Sequence, residues 1–482
     1  MKILFKGHQF KYETEATVKL FIPGRFEFLY DAVYADGDIV CSQLRRGREN
    51  IYLFASCRVS GKRARKALKL PKEKEALCEH ELCRLVFECL KKITGITPPW
   101  GLLTGIRPVK KMTALLESGL DKKQCFEALE KKYSVTQRRL ELAYDTAVYQ
   151  MPLLKSVKSG SISLYISIPF CPTRCSYCSF VSHSIESAKK LIPDYVRALC
   201  REIEIVGKII SDLSLSVDTI YIGGGTPTAI EASQLDIVMK ALSDNIDISS
   251  VREYSVEAGR PDTMTEKKLE VIMKNGAGRI SVNPQTMNDD VLKRIGRRHT
   301  AEDMINAFKL ARNIGFKNIN TDLITGLPGD SMESFKDTLS KIRELDPESI
   351  TIHTLTLKRS AELYRENIEA FENNPAAKMT EYAADILPAA GYRPYYLYRQ
   401  KNTIENLENI GFAKEGMESL YNIFIMDETQ VILGAGCAAS TKLIDKNGKI
   451  TRIHNYKFPY EYIGRFNELM KKKNQIYEIL GE

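Results

Sequence analysis

Six short runs rich in β-branched and aromatic residues punctuate residues 161 to 356, with helical stretches between them: SLYISIPF, VDTIYIGG, EYSVEA, RISVNPQ, KNINTDLITG and SITIHTLT. Strands that alternate with helices lie side by side as parallel β/α units. Right-handed crossovers curl such a sheet toward a barrel, complete or partial, with its chemistry at the C-terminal strand ends. The expectation is an α/β fold: a partial (β/α)6, TIM-like barrel over residues 160–375. The 482 residues leave room for more than one domain. Residues 1–150 read as an N-terminal α/β module with a helical connector. They hold short β-like runs (ATVKLFIP, DIVCSQL, NIYLFASCRV) and one apolar helix candidate, EHELCRLVFECLKKI. A Pro/Gly-rich segment, GITPPWGLLTGIRP, carries the only tryptophan, Trp100, and leads into two polar helices. Residues 376–482 read as a C-terminal lid or substrate domain: helical, then irregular and aromatic (YRPYYLYRQKN), then strand-like (SLYNIFIM, TQVILGAG).

Hydrophobic residues make up 44% of the chain and charged residues 27%. No apolar run approaches the roughly 18 residues that a membrane span requires. The N-terminus scatters charges through its short apolar stretches, unlike a secretory signal, so cytoplasmic residence is expected. Eleven cysteines, odd in number and mostly isolated, point to reduced thiols rather than a disulfide framework. The formal charge of +9 is concentrated at the front, where residues 1–150 hold 28 Lys+Arg against 18 Asp+Glu. Its densest stretch, GKRARKALKLPKEK at 61–74, could meet an anionic partner. A solvated basic face is the simpler reading and nucleic acid is not the expected partner, because no aromatic residue interleaves with these charges as a stacking platform.

Cys171, Cys175 and Cys178 follow the first strand candidate in CPTRCSYC, with three and then two residues between them. Three thiolates can thus converge from one loop. A structural zinc ion wants four tight ligands, and the nearest further candidate is His183. An iron–sulfur cube tolerates three cysteines, because its fourth iron can take an exogenous ligand. Gly223, Gly224 and Gly225 end the second strand and precede Thr226, leaving backbone that a ligand can approach closely. Glu257, Gln285 and Asp322 end the third, fourth and fifth strands, and Arg297 lies shortly after the fourth, in GRRH. Singly, each could be a helix cap or a surface ion pair. Four at successive strand ends suggest one site.

CPTRCSYC matches the CxxxCxxC signature of radical S-adenosylmethionine (SAM) enzymes. With LYISIPF before it and GGGTPT after it, the sequence resembles the oxygen-independent coproporphyrinogen III oxidase/dehydrogenase family, and the N-terminal extension and WGLLTGIRP resemble its HemZ branch. The resemblance implies a radical SAM barrel followed by a mostly helical HemN-like domain. It implies a [4Fe–4S] cluster on Cys171, Cys175 and Cys178, with SAM chelating the free iron and cleaved to a 5′-deoxyadenosyl radical. Gly223 to Gly225 and Thr226 would form the ledge for the SAM methionine; Glu257 would accept from its amino group and Arg297 would pair with its carboxylate. Gln285 and Asp322 would hold the ribose, Tyr177 would contact the adenine or simply pack, and Tyr165 is the catalytic candidate.

The implied reaction is oxidative decarboxylation of two coproporphyrinogen III propionates to vinyl groups, giving protoporphyrinogen IX. A flat polyanion suits aromatic walls with cations at the rim, and RPYYLYRQK offers Arg393, Tyr395, Tyr396, Tyr398, Arg399 and Lys401. The same residues could form an amphipathic packing loop. Two departures from the family pattern stand out: Ser167 replaces the histidine of YxHIPF, and Phe180 replaces a further cysteine. Both bring the region closer to the haem-chaperone branch, which binds cluster and SAM without decarboxylating. Haem transfer is therefore the alternative, with His183, His299 and His353 as candidate haem ligands, and radical chemistry on another tetrapyrrole is a third reading. The N-terminal charge would steer an acidic electron donor such as flavodoxin or ferredoxin.

Overall fold

A computed structural model describes residues 1–22, 24–32, 36–178, 180, 182–356, 361, 363, 374–400 and 403–481. It divides into two compact units, Met1–Tyr144 and Asp145–Glu482. In the first unit, strands β1 (Lys2–Lys6), β2 (Glu27–Tyr30), β3 (Ile39–Arg46), β4 (Asn50–Val59) and β5 (Lys62–Pro71) form one sheet in the order β2-β1-β3-β4-β5. Alternation sets its faces: Ile51, Leu53, Ala55 and Cys57 of β4 are buried, whereas Tyr52 and Phe54 are exposed. Helix Cys78–Thr94 carries Leu82, Val86 and Leu90 at helical spacing into the same core as Leu53 and Ala55. Residues 16–22 of the run ATVKLFIP, expected as a strand, instead supply the end of helix Lys11–Lys19 and the turn after it. Here a single buried stripe of Thr14, Thr17 and Val18 decides against β propensity. The connector holds three helices rather than two, Pro108–Glu117, Lys122–Tyr133 and Gln137–Lys155. Trp100 is buried, and Gly101 packs against the Tyr133 carbonyl where a Cβ would clash.

The second unit is built on one eleven-stranded sheet. Its centre is the six predicted strands: β6 (Ser161–Ile168), then, after the short pair β7 (Phe170–Cys171) and β8 (His183–Ser184), β9 (Ser216–Gly224), β10 (Glu253–Gly259), β11 (Arg279–Val282), β12 (Asn318–Thr325) and β13 (Ser349–Thr354). All five pairings from β6 to β13 are parallel. The chain beyond residue 375 extends both edges of this sheet. On one side β15 (Glu408–Ala413) pairs antiparallel with β13, and β14 (Arg393–Arg399) pairs with β15. On the other, β16 (Val431–Ala435) runs parallel to β6 and is followed by β17 (Ser440–Ile444) and β18 (Ile450–His454). A partial barrel leaves two rows of unpaired backbone groups, and these additions pair them.

Two segments of this region take a different form from the one expected. RPYYLYR, read as irregular, is the ordered strand β14. SLYNIFIM, read as a strand, is helix Leu420–Asp427, whose Ser419 side chain accepts from the Asn422 amide. A short apolar run does not distinguish helix from strand by periodicity, and here the cap decides.

Candidate functional site

The inward positions of the central strands are polar. Arg279, Ser281 and Asn283 alternate along β11 and beyond it, Asn320 and Asp322 along β12, and Thr351 and His353 along β13. Together with the cysteine loop they line a cavity of about 360 Å³. Cys171, Cys175 and Cys178 all face it, as do Tyr177, Gly224, Gly225, Thr226, Glu257, Gln285, Arg297 and Asp322. The sequence-derived candidates thus converge, with two exceptions that lie outside the lining. Gly223 sits behind the wall, its α-carbon against Glu257 and Tyr221. Tyr165 stacks on Tyr221 and Tyr421 at 6.2 and 6.3 Å between ring centres, and of these three rings Tyr221 reaches the cavity.

The cysteine loop is held from several sides. The Cys178 amide donates to the Cys175 carbonyl at 3.0 Å, and the Ser176 amide to the Ile295 carbonyl at 3.1 Å. Arg260 grips Thr173 through its carbonyl and hydroxyl while its guanidinium pairs with Asp262 at 2.8 Å. The Thr226 hydroxyl donates to Cys171 Sγ at 3.6 Å. Gly225 passes so close that an added Cβ would come within 2.6 Å of the Phe170 carbonyl and 3.0 Å of Cys171 Sγ. All eleven cysteines are free thiols. Among the described residues no three Cys, His, Asp or Glu side chains close on one ion-sized point; the three thiols face shared space instead.

Opposite the loop, Arg297 donates from Nη1 to the Asn283 carbonyl (3.1 Å) and from Nη2 to the Tyr177 hydroxyl (3.0 Å). Its Nε, like Gln285 Oε1, is buried without a hydrogen-bond partner. Gln285 adopts a left-handed φ of 73°, pinned by its amide to the Asp322 carbonyl and its carbonyl to the Ile324 amide. Glu257 accepts from the Tyr221 hydroxyl at 2.6 Å. Burial raises its pKa to about 7, against the lowering effect of that bond. Asp322 moves the other way: burial would raise it, but His353 at 3.7 Å, Asn320 and Thr351 more than offset that.

The remaining candidates separate. Tyr396, Tyr398 and Gln400 line the cavity, the two rings nearly parallel with centres 6.2 Å apart. Tyr395 is buried behind them, Arg393 points to solvent, and Arg399 binds the Asn406 carbonyl. Lys401 lies outside the described residues. Of the candidate histidines, His353 alone lines the cavity. His183 packs edge-on against Phe458, and His299 is buried with its pKa lowered to about 4 by burial and by Arg297. Ser167 is buried, with its hydroxyl against Gly224, and Phe180 is 66% exposed beside the cysteines. Asn283, Asn320, Arg260 and Arg279 were not singled out from the sequence. Their signal was available: polar residues at every second position of a strand that helices should cover on its other face.

Comparison with known proteins places this geometry. Residues 165–342 match the model of the radical SAM superfamily. HemZ of Bacillus subtilis (strain 168), an oxygen-independent coproporphyrinogen-III oxidase-like protein, is 42% identical over 419 residues, covering 84% of this chain and 83% of that protein. The heme chaperone HemW of the same organism is 33% identical over 283 residues, covering 57% and 69%. Among solved structures, coproporphyrinogen III oxidase (HemN) from Escherichia coli shares the fold, with a TM-score of 0.53 at 24% identity over 67% of this chain and 73% of that one. The cofactors of this superfamily are a [4Fe–4S] cluster and SAM, and the residues present suit both. Three free thiols share a wall, a glycine cradle leaves no room for a Cβ, and the unpartnered Arg297 Nε and Gln285 Oε1 await a polar ligand. The chain belongs to the oxygen-independent coproporphyrinogen III oxidase-like family of radical SAM proteins.

Proposed function

We propose that this protein oxidatively decarboxylates two propionates of coproporphyrinogen III to vinyl groups, giving protoporphyrinogen IX, in the cytoplasm and with an electron donor of the flavodoxin or ferredoxin type. The observation that carries the cofactor half is the pair of unpartnered buried atoms, Arg297 Nε and Gln285 Oε1, facing the wall of thiols. The substrate half is supported by Tyr396 and Tyr398, two nearly parallel rings on the cavity wall suited to a flat macrocycle. HemZ similarity across most of both chains supports it further.

When bound, the cluster and SAM supply the hydrogen-abstracting chemistry. Cys171, Cys175 and Cys178 hold the cluster, with Thr226 donating to Cys171 Sγ. Arg297 presents its fork to a carboxylate, while Asn283 and Tyr177 fix the plane of the guanidinium. Glu257 accepts from an ammonium once ionised, above its raised pKa of about 7; Gln285 and Asp322 accept from hydroxyls, Asp322 kept ionised by His353. Tyr177 offers its ring to the adenine, the Gly224–Gly225 backbone with Thr226 forms the methionine ledge while Gly223 backs it, and Tyr165 acts through its stack on Tyr221. Anaerobic turnover with coproporphyrinogen III, followed by mass spectrometry, tests the reading. Vinyl products matched by 5′-deoxyadenosine are expected, and KM should rise on Tyr398→Ala.

Haem transfer is the second reading, favoured by Ser167 and Phe180 at the two departures, by His353 in the cavity and by likeness to HemW. Intact propionates together with haem binding that is lost on His353→Ala would put it first.

A further inference from the structure

Along the basic stretch 61–74 no aromatic residue interleaves with the charges, but across the strands of the N-terminal sheet two do. Register places Tyr52 between Arg45 of β3 and Lys69 of β5, and Phe54 between Gln43 and Ala67. One step further, Ser56 is opposite Arg65, and Arg58 is opposite Arg63. All of these side chains belong to the face opposite the one filled by Ile51, Leu53, Ala55 and Cys57. Tyr52 and Phe54 are 39% and 37% exposed, and Arg63, Arg65 and Lys69 are exposed as well. Among the described residues none of these three cations meets a carboxylate, whereas Lys66, on the other face of the same strand, pairs with Glu88 at 2.9 Å. The Arg45 guanidinium lies 5.9 Å from the Phe54 ring centre.

We propose that this open sheet face binds single-stranded nucleic acid, with bases stacking on Tyr52 and Phe54 and phosphates meeting Arg45, Arg63, Arg65 and Lys69. An acidic protein would satisfy the cations equally well. Two rings two residues apart on one sheet face, each flanked by a cation or an amide, fit unstacked bases better than a carboxylate surface does. The excess of Lys+Arg in residues 1–150 supplies the steering field. The proposal is independent of the chemistry in the barrel.

The test is fluorescence anisotropy of the full-length protein with a labelled 20-nucleotide oligo(U), repeated from low to moderate salt. Four phosphate contacts should give a log–log salt slope of about −3. Tyr52→Ala and Phe54→Ala, which leave the charge unchanged, should each weaken binding by roughly 5- to 100-fold. Arg65→Glu with Lys69→Glu should flatten the salt slope, while Lys122→Ala, elsewhere in the unit, should change neither. Far-UV circular dichroism confirms folding of each variant. Binding that survives both aromatic substitutions would overturn the proposal. So would a flavodoxin that binds this face, sensitive to the same substitutions, when oligo(U) does not.

Discussion

Replacing Glu257 by glutamine should change how stability depends on pH, with a sign fixed by burial. The carboxyl is buried in the barrel wall, and its pKa rises from 4.5 to about 7 because burial outweighs the Tyr221 hydrogen bond. In the unfolded chain it titrates near 4.5, so between pH 4.5 and 7 the folded protein holds more protons than the unfolded one. Stability therefore falls as pH rises through that window. The gap corresponds to roughly 3 kcal/mol, present as a penalty once pH exceeds 7. Glu257→Gln keeps the shape and an acceptor for Tyr221 but never ionises. Urea denaturation of the SAM-free protein at pH 5, 6, 7 and 8 should show variant and parent converging at pH 5. At pH 8 the variant should be more stable by up to about 3 kcal/mol. SAM should bind the parent more tightly as pH rises to about 7, and bind the variant weakly and with little pH dependence. Parallel stability curves, or a variant less stable at pH 8, would refute the reasoning.

Arg297→Met should leave the SAM-free protein near parental stability, because the buried guanidinium forms no salt bridge among the described residues, yet weaken SAM about 10- to 100-fold; the SAM-induced rise in Tm reads both effects. Gly225→Ala should push the cysteine loop away from the cavity wall and lower iron content after reconstitution, a deficit that adding iron and sulfide does not correct. Lys473→Met strips Glu202 of its cation in a site at most 1% exposed, leaving Tyr462, Gly436 and Asn455 around an unpaired carboxylate. Chemical denaturation should report a loss of about 3–5 kcal/mol.

The six central strands were legible because each is a β-branched run bounded by helical periodicity, and the cysteine loop because its spacing is local. The fate of RPYYLYR and SLYNIFIM was not. Whether an aromatic run becomes the outer strand of a sheet, as Arg393–Arg399 does, depends on the free edge of β15, and β15 is itself placed by pairing with β13, where Ser349 meets Ala413. Tyr177 and Arg297 were each named from sequence, but the hydrogen bond between them joins residues 120 positions apart and is set by packing. Gln285 was named for its place after a strand, while its left-handed backbone comes from the β11–β12 register. The stacking platform of Tyr52 and Phe54 is likewise invisible along the chain, because the cations beside it lie on neighbouring strands.

On this reading Cys171, Cys175 and Cys178 would hold the cluster and Arg297 the SAM carboxylate. Electron paramagnetic resonance of the anaerobically reconstituted, reduced protein tests it most directly. A [4Fe–4S]⁺ signal that changes on adding SAM is expected, with the cluster lost in Cys175→Ala and the SAM response weakened in Arg297→Met. A cluster that persists in Cys175→Ala, or a signal indifferent to SAM in the parent, would contradict it.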